Sequence, residues 1–215
     1  MKCWRCGSEV DLGGGAFCGT CHALQAPAPD LDHFARLGLE PRFAYERSEI
    51  AASHRAQLRI FHPDLFHGEG AQAWSHAVAH ATAINNAWRG LADPQQRFEY
   101  LLTLHGAQLP ADSLDPSGMT AMDPIHRVEM AELDSALSEL DGVDAHTERT
   151  GLGRQIAHRY ARALEQSGQR LDAELAALKL DGQAAVWQAA VSRLRSLRAL
   201  LVHLDAEFPF GVAAP

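Results

Sequence analysis

The sequence predicts an all-α protein, and three observations carry that expectation. Trp74, Ala77, Ala81, Ile84, Trp88 and Leu91 recur at unbroken three- and four-residue steps, the period of one helix face. Asp93-Pro94-Gln95-Gln96 reads as a helix start. Asp93 is placed to cap, Pro94 takes the first helical position where its missing N–H costs nothing, and Gln96 follows as a capping-box partner. From residue 32 onward no run alternates apolar and polar residues for long enough to make a half-buried strand.

Composition limits what such helices can belong to. The 215 residues, 47% hydrophobic and 21% charged, suffice for one or two domains with a real core. The net charge is -8, and residues 34–105 carry seven basic against seven acidic side chains, while 124–215 carry ten against thirteen. Neither segment is built to neutralise a phosphate backbone, so no nucleic-acid partner is expected. No apolar run approaches the roughly 20 residues that span a bilayer, and the first residues form neither a signal core nor an Arg-rich transit helix. No membrane partner and a cytoplasmic location are expected.

All four cysteines fall within the first 21 residues. Cys3-Trp4-Arg5-Cys6 and Cys18-Gly19-Thr20-Cys21 are two CxxC knuckles separated by a glycine-rich loop. Each knuckle aims two thiolates into one small volume, and two knuckles complete the tetrahedral S4 shell that Zn2+ prefers, with iron as the weaker alternative. A segment of this size cannot fold on apolar burial alone, so the ion supplies most of its folding energy. A redox pair would need a strand–helix scaffold that the segment lacks. His22 is expected to be a bystander.

Residues Gln25 to Asp32, with Pro27 and Pro29, are expected to form a short stiff linker. Asp32 to Gly38 then predicts a short helix, and a longer one is expected from about Ala44 to Phe61 with Ile50, Ala51, Leu58 and Phe61 inward. Arg55 and Arg59 share an outer face one turn apart. Pro63 fixes φ and donates no hydrogen bond, so it stops this helix and displays His62 and Asp64 on either side of it. His62 and Asp64 have the HxD spacing of a metal or hydrolase pair, but no further ligand sits at workable spacing, so no catalysis is expected. The helix of residues 71–91 follows, then Phe98, Leu101 and Leu102 on the one that starts at Pro94.

Residues 107–123 have no periodicity and are expected to link to a second helical part. Asp123-Pro124 is again a cap followed by proline. Three amphipathic stretches follow. The first, about 124–141, has Met130, Leu133, Leu137 and Leu140 inward and ends near Gly142. The second, about 145–179, has Leu152, Ile156, Tyr160, Ala163, Leu164, Leu171, Leu175 and Leu178 inward, with Gly168 as a kink. The third, about 183–206, has Val186, Ala190, Leu194, Leu197, Leu201 and Leu204 inward, after an Asp181-Gly182 connection. Short loops and matching stripes predict an antiparallel bundle. Ile125, Val128, Glu129 and Glu132 make a separate apolar and acidic edge on its first helix.

His62-Pro63-Asp64 between a helix with basic outer residues and a long helix, together with Asp93-Pro94-Gln95-Gln96-Arg97, resembles a J-domain, the module that activates DnaK-type chaperone ATPases. Phe34-Ala35-Arg36-Leu37-Gly38-Leu39, Ala83-Ile84-Asn85-Asn86-Ala87-Trp88 and Glu99-Tyr100-Leu101-Leu102 are similar to HscB-type iron–sulfur-cluster co-chaperones. The tetracysteine knuckle resembles the zinc extension carried by some members. The resemblance implies a knuckle at 1–26, a J-domain at 31–106, a linker at 107–123 and a client-binding bundle at 124–208. It implies a non-enzyme whose His62, Pro63, Asp64, Arg55 and Arg59 meet a DnaK/HscA-type chaperone. Ile125, Val128, Glu129 and Glu132 would then bind an IscU-type scaffold, and Cys3, Cys6, Cys18 and Cys21 would hold structural Zn2+. Glu46 and Glu49 beside Arg47 make the basic helix less charged than the pattern it resembles. A different client of the same J-domain, or a zinc-dependent binding module without a chaperone role, are the alternatives. Self-association, if any, is expected to be weak.

Overall fold

The computed structural model describes residues 1–10, 15–109, 124–140, 146–177 and 184–204. Among the described residues there are seven α-helices, one 3-10 helix and no strand, so the expected all-α class holds. Two isolated bridges, Lys2 with Glu9 and Phe17 with Leu24, tie the amino-terminal knuckle. Residues 110–123 of the expected linker, Asp123 included, the stop at Gly142, Leu178 and the Asp181-Gly182 connection lie outside the described residues. The chain divides into two compact units, Met1–Pro41 with Tyr45–Ala92, and Arg42–Ala44 with Asp93–Pro215.

In the first unit, helix α1 (His33–Leu37) starts where the Asp32 carboxylate accepts the Ala35 N–H at 2.9 Å. It ends at Gly38, whose φ of 69° is the left-handed conformation that glycine adopts without penalty. Helix α2 (Arg47–Phe61) starts later than the expected Ala44, because Glu46 and Glu49 form a capping box in which the Glu46 N–H donates to the Glu49 carboxylate at 2.8 Å. These two glutamates fix the start of the helix as well as offsetting Arg47. Only Ile50 of α2 is fully buried; Ala51, Leu58 and Phe61 are half-buried.

Pro63 ends α2 as expected, but the next helix does not begin directly. A 3-10 helix (Pro63–Glu69) intervenes and buries Phe66. Helix α3 (Ala71–Ala92) packs against α1, α2 and this 3-10 helix. Its buried stripe is Ala73, Ala77, His80, Ile84, Ala87 and Leu91, not the expected Trp74, Ala77, Ala81, Ile84, Trp88 and Leu91. Both series have helical period. Small residues win the interior side because three elements crowd onto it, and the tryptophans move to its border, where Trp88 stacks on His54 at 5.2 Å between ring centroids.

In the second unit, α4 (Pro94–Leu104) is capped by Asp93, whose carboxylate accepts the Gln95 and Gln96 N–H groups at 2.8 and 3.0 Å. It buries Phe98, Leu101 and Leu102, and packs with α6 (His146–Ala176) and α7 (Ala184–His203). Helix α5 (Pro124–Glu139) joins them through Met130, Leu133 and Leu137. The expected interior of α6 is confirmed at Ile156, Tyr160, Ala163, Leu164 and Leu171. On α7 the leading interior residues are Trp187 and Val191, while Val186 is exposed and Ala190 half-buried. Largely buried ion pairs hold α4 in place: Arg195 to Glu99 at 2.6 Å and Arg198 to Asp93 at 2.7 Å. The Tyr160 hydroxyl donates to Gln95 at 3.0 Å, and burial raises that hydroxyl's pKa above the ordinary tyrosine value. By these contacts α4 is grouped with the carboxy-terminal helices, unlike the sequence-drawn 31–106 segment.

Gly168 does not interrupt its helix. Helix α6 runs through it, and its bare face receives the ring of Phe43. Phe43 is held there because its N–H and that of Ala44 donate to the Asp172 carboxylate at 2.6 and 2.9 Å. Arg97 donates to the Phe43 carbonyl at 3.0 Å. Gly168→Ala should gain about 1 kcal/mol from helix propensity but lose about 1–3 kcal/mol to overpacking against Phe43. The expected outcome is a lowered Tm, with the loss reversed in a Phe43→Leu background; a raised Tm in the single variant would contradict the close packing.

Candidate functional site

The four cysteines meet. Their Sγ atoms all lie within 4.8 Å of one another, with Cys3 to Cys21 at 3.6 Å and Cys6 to Cys18 at 3.8 Å. Cys3 and Cys18 are buried, Cys21 is half-buried and Cys6 is exposed. Donors converge on the sulfurs. The Arg5 N–H and the Gln25 amide each lie 3.4 Å from Cys3 Sγ, and the Ser8 hydroxyl lies 3.4 Å from Cys18 Sγ. The Ser8 hydroxyl, with the Cys21 and Thr20 backbone N–H groups, pulls the Cys18 thiol down to about 5. Cys21 goes the other way. Its Ala23 N–H contact favours the thiolate, but burial and the neighbouring cysteines push it up to about 12. Four thiols this close cannot all ionise unless a cation offsets them, and the outer hydrogen bonds suit sulfurs that carry negative charge. The donor set fits a tetrahedral metal ion.

Each knuckle uses the same turn. In the first, Cys3 N–H donates to Ser8 O at 2.8 Å and Gly7 N–H to Cys3 O at 3.0 Å. In the second, Cys18 N–H donates to Ala23 O at 2.9 Å and His22 N–H to Cys18 O at 2.8 Å. Gly7 and His22 occupy equivalent positions, with φ of 75° and 55°. The exposed His22 therefore fills a left-handed turn position that glycine fills in its counterpart, consistent with the bystander role.

The expected linker does not begin at Gln25. Leu24 and Gln25 are fully buried, Leu24 in a cluster with Phe66, Ala73 and Ala77. Burying a leucine in this way contributes about 1.5–3 kcal/mol. The Leu24 carbonyl accepts from Trp4 Nε1 at 2.7 Å and from His76 Nδ1 at 3.0 Å, and the Gln25 carbonyl accepts from His80 Nε2 at 3.0 Å. A carbonyl only accepts, so His80 Nε2 carries hydrogen. Burial lowers the His80 pKa below the ordinary imidazole value, against the opposing pull of the Gln25 carbonyl. The knuckle is thus fastened to α3.

The turn residues stand beside this contact. His62 is 55% and Asp64 78% exposed at the side chain, and the His62 Nδ1 accepts the Asp64 N–H at 3.3 Å, capping the 3-10 helix. Arg55, Leu58, Arg59, His62 and Leu65 line one shallow surface groove. The structure thereby brings together the predicted Arg55, Arg59 and His62, with Pro63 and Asp64 at the groove's end of the chain turn. Leu65 is the residue that sequence reasoning missed; it is 61% exposed, and its signal was an apolar residue directly after the displayed Asp64.

On α5, Ile125 and Val128 are 76% and 60% exposed, and Glu132 is exposed beside them. Glu129 differs. It accepts from Arg159 at 3.1 Å and from Arg193 at 2.9 Å, so this carboxylate braces α5 against α6 and α7 instead of standing free at the edge. Arg159 and Arg193 line the same surface depression as Ile125, Val128 and Glu132. Neither arginine was foreseen, because pairing across three helices leaves no spacing signal.

An exposed HPD turn on a helical hairpin, with helices beyond, is the arrangement of the J-domain class. No family model matches the chain. It is 30% identical over 149 residues, 68% of its length, to the Homo sapiens iron-sulfur cluster co-chaperone protein HscB. It is 29% identical over 169 residues, 78% of its length, to the co-chaperone protein HscB homolog of Vibrio vulnificus, covering 90% of that protein. The chain spans 61% of the human protein, 47% of its Mus musculus counterpart and 52% of the Arabidopsis thaliana homolog. In fold it matches the crystal structure of human HscB with a TM-score of 0.75 at 22% identity, covering 95% of this chain and 97% of that one. Over most of its length the chain is thus similar to proteins named HscB co-chaperones, and it shares their fold.

Replacing His22 with glycine removes a left-handed strain of about 1 kcal/mol. His22→Gly should keep its full metal content and raise the resistance of the knuckle to chelation, followed by release of bound metal; loss of metal would instead make His22 a ligand.

Proposed function

We propose that this chain is a J-domain co-chaperone that carries an IscU-type iron–sulfur scaffold to a DnaK/HscA-type chaperone and stimulates that chaperone's ATPase, without being an enzyme itself. The observation that carries the reading is the exposed His62-Pro63-Asp64 turn bordered by the Arg55–Arg59 groove, in a chain whose relatives are named iron-sulfur cluster co-chaperones. Asp64 offers a carboxylate to a cationic group on the chaperone, while Arg55 and Arg59 meet acidic surface. Long-range attraction of this kind sets orientation and on-rate, and with a Debye length of about 8 Å at physiological salt it makes binding salt-sensitive. The chaperone's ATP state is favoured by differential binding.

Ile125, Val128 and Glu132 make the scaffold contact, with Glu129 holding the helix that presents them. Zn2+ is the ion proposed for Cys3, Cys6, Cys18 and Cys21; when bound it supplies a cross-link and no catalytic chemistry. No described helix is long and apolar enough to cross a membrane, and a cytoplasmic location suits the proposed partners.

Steady-state ATP hydrolysis by a purified DnaK/HscA-type chaperone, with the full chain and with or without the scaffold, tests this reading. Stimulation that rises further with scaffold is expected. Asp64→Asn should leave the helical circular dichroism intact while cutting stimulation more than about tenfold, since losing one partner of a desolvated charge pair costs about 2–5 kcal/mol. Retained stimulation sinks the assignment of Asp64. Val128→Lys should abolish capture of the scaffold with little change in Tm; an unaffected complex would move the scaffold contact off α5.

A further inference from the structure

We infer that the metal knuckle is a clamp on the HPD turn, with Phe17, Leu24 and Arg5 acting as positioning residues for His62 and Asp64. The contacts bracket the turn on both sides. Ahead of it, Phe61 stacks on Phe17, with ring centroids 6.0 Å apart and planes 12° from parallel. Phe61 also stacks on His80, at 4.4 Å and 8°, and His80 in turn holds the Gln25 carbonyl. Behind the turn, Phe66 is the one buried residue of the 3-10 helix, and it packs with Leu24 of the knuckle alongside Ala73 and Ala77 of α3. Arg5, between the first two cysteines, reaches Glu69 at the end of the same 3-10 helix at 3.6 Å.

A seven-residue 3-10 helix has poor hydrogen-bond geometry and holds its shape through its anchor. Here two flanking aromatic anchors lean on a segment whose own fold rests on four cysteines. The side chains that hold Leu24 and Gln25 in place lead back to those sulfurs, because the Gln25 amide donates to Cys3 Sγ at 3.4 Å and to Ala23 O at 2.7 Å. Loss of the metal therefore reaches past residue 25 and loosens residues 61–69, while α5, α6 and α7 stay as they are. The knuckle then sets how well the turn is ordered before any partner arrives. Its consequence for ATPase stimulation rests on the function proposed above; the ordering of the turn does not.

Amide hydrogen exchange on the full chain, with and without an excess of zinc chelator, reads the ordering directly. Exchange across residues 62–69 should accelerate about tenfold or more on chelation, the signature of lost local stability. Leu24→Ala and Phe17→Ala, checked for full metal content, should give the same acceleration without chelator. Leu24→Met should restore slow exchange. Unchanged exchange at 62–69 in the chelated protein and in the metal-loaded variants overturns the clamp. If Leu24→Ala loses its metal, Phe17→Ala decides. In the ATPase assay these variants should raise the half-maximal co-chaperone concentration and leave maximal stimulation near wild type, whereas Asp64→Asn removes the maximum. A wild-type chain that stimulates no chaperone but still exchanges as described refutes the proposed function and leaves the clamp standing.

Discussion

The first unit depends on the narrow, alanine-lined face of α3. Ala73, Ala77 and Ala87 leave the backbone of α3 accessible, so α1, α2, the 3-10 helix and Leu24 of the knuckle can all approach one helix. Close approach of this sort works only where side chains are small, since interiors are packed to crystal density and tolerate no extra volume. His80 is the one polar member of the face. Its ring supplies both a flat partner for Phe61 and a donor for the Gln25 carbonyl, two roles that no aliphatic residue fills at once.

The second unit is organised by a different means. Four arginines, at 159, 193, 195 and 198, point from α6 and α7 to carboxylates on α4, on its cap and on α5. The most enclosed of these, Arg198 with Asp93, adds little net stability compared with apolar packing, but leaving one partner alone would cost about 3–5 kcal/mol, so it favours one helix arrangement. Phe43 in the notch at Gly168 adds a steric lock of the same kind.

What the sequence made legible was local. The cap at Asp93, the end of the first helix at Gly38 and the break at Pro63 each follow from one residue's backbone chemistry, and all three stand in the structure. The cysteine spacing foretold a four-sulfur cluster for the same reason. Choices settled by tertiary contact were illegible. Two overlapping stripes on α3 have equal periodicity, and only the crowding of its neighbours selects Ala73 and Ala87 over Trp74 and Trp88. Gln25 followed by prolines has the composition of a linker, yet it is buried because its carbonyl meets His80. Gly168 carries the mark of a kink, and the ring that fills its notch lies 125 positions earlier, beyond any local signal.

The HPD turn separates what holds it from what it displays. Phe61 and Phe66 anchor it by apolar contact, and His62 contributes by accepting the Asp64 N–H with its ring nitrogen. The Asp64 carboxylate is 78% exposed and lies 3.6 Å from the His62 ring nitrogen, an exposed contact that adds little. The fold therefore places small demands on the Asp64 side chain, which leaves its carboxylate accessible to an external partner. His62 has no such freedom, because changing it alters the cap as well as the surface. On the proposed reading, the two residues of one motif differ in kind: His62 links the shape of the turn to its chemistry, and Asp64 carries charge alone.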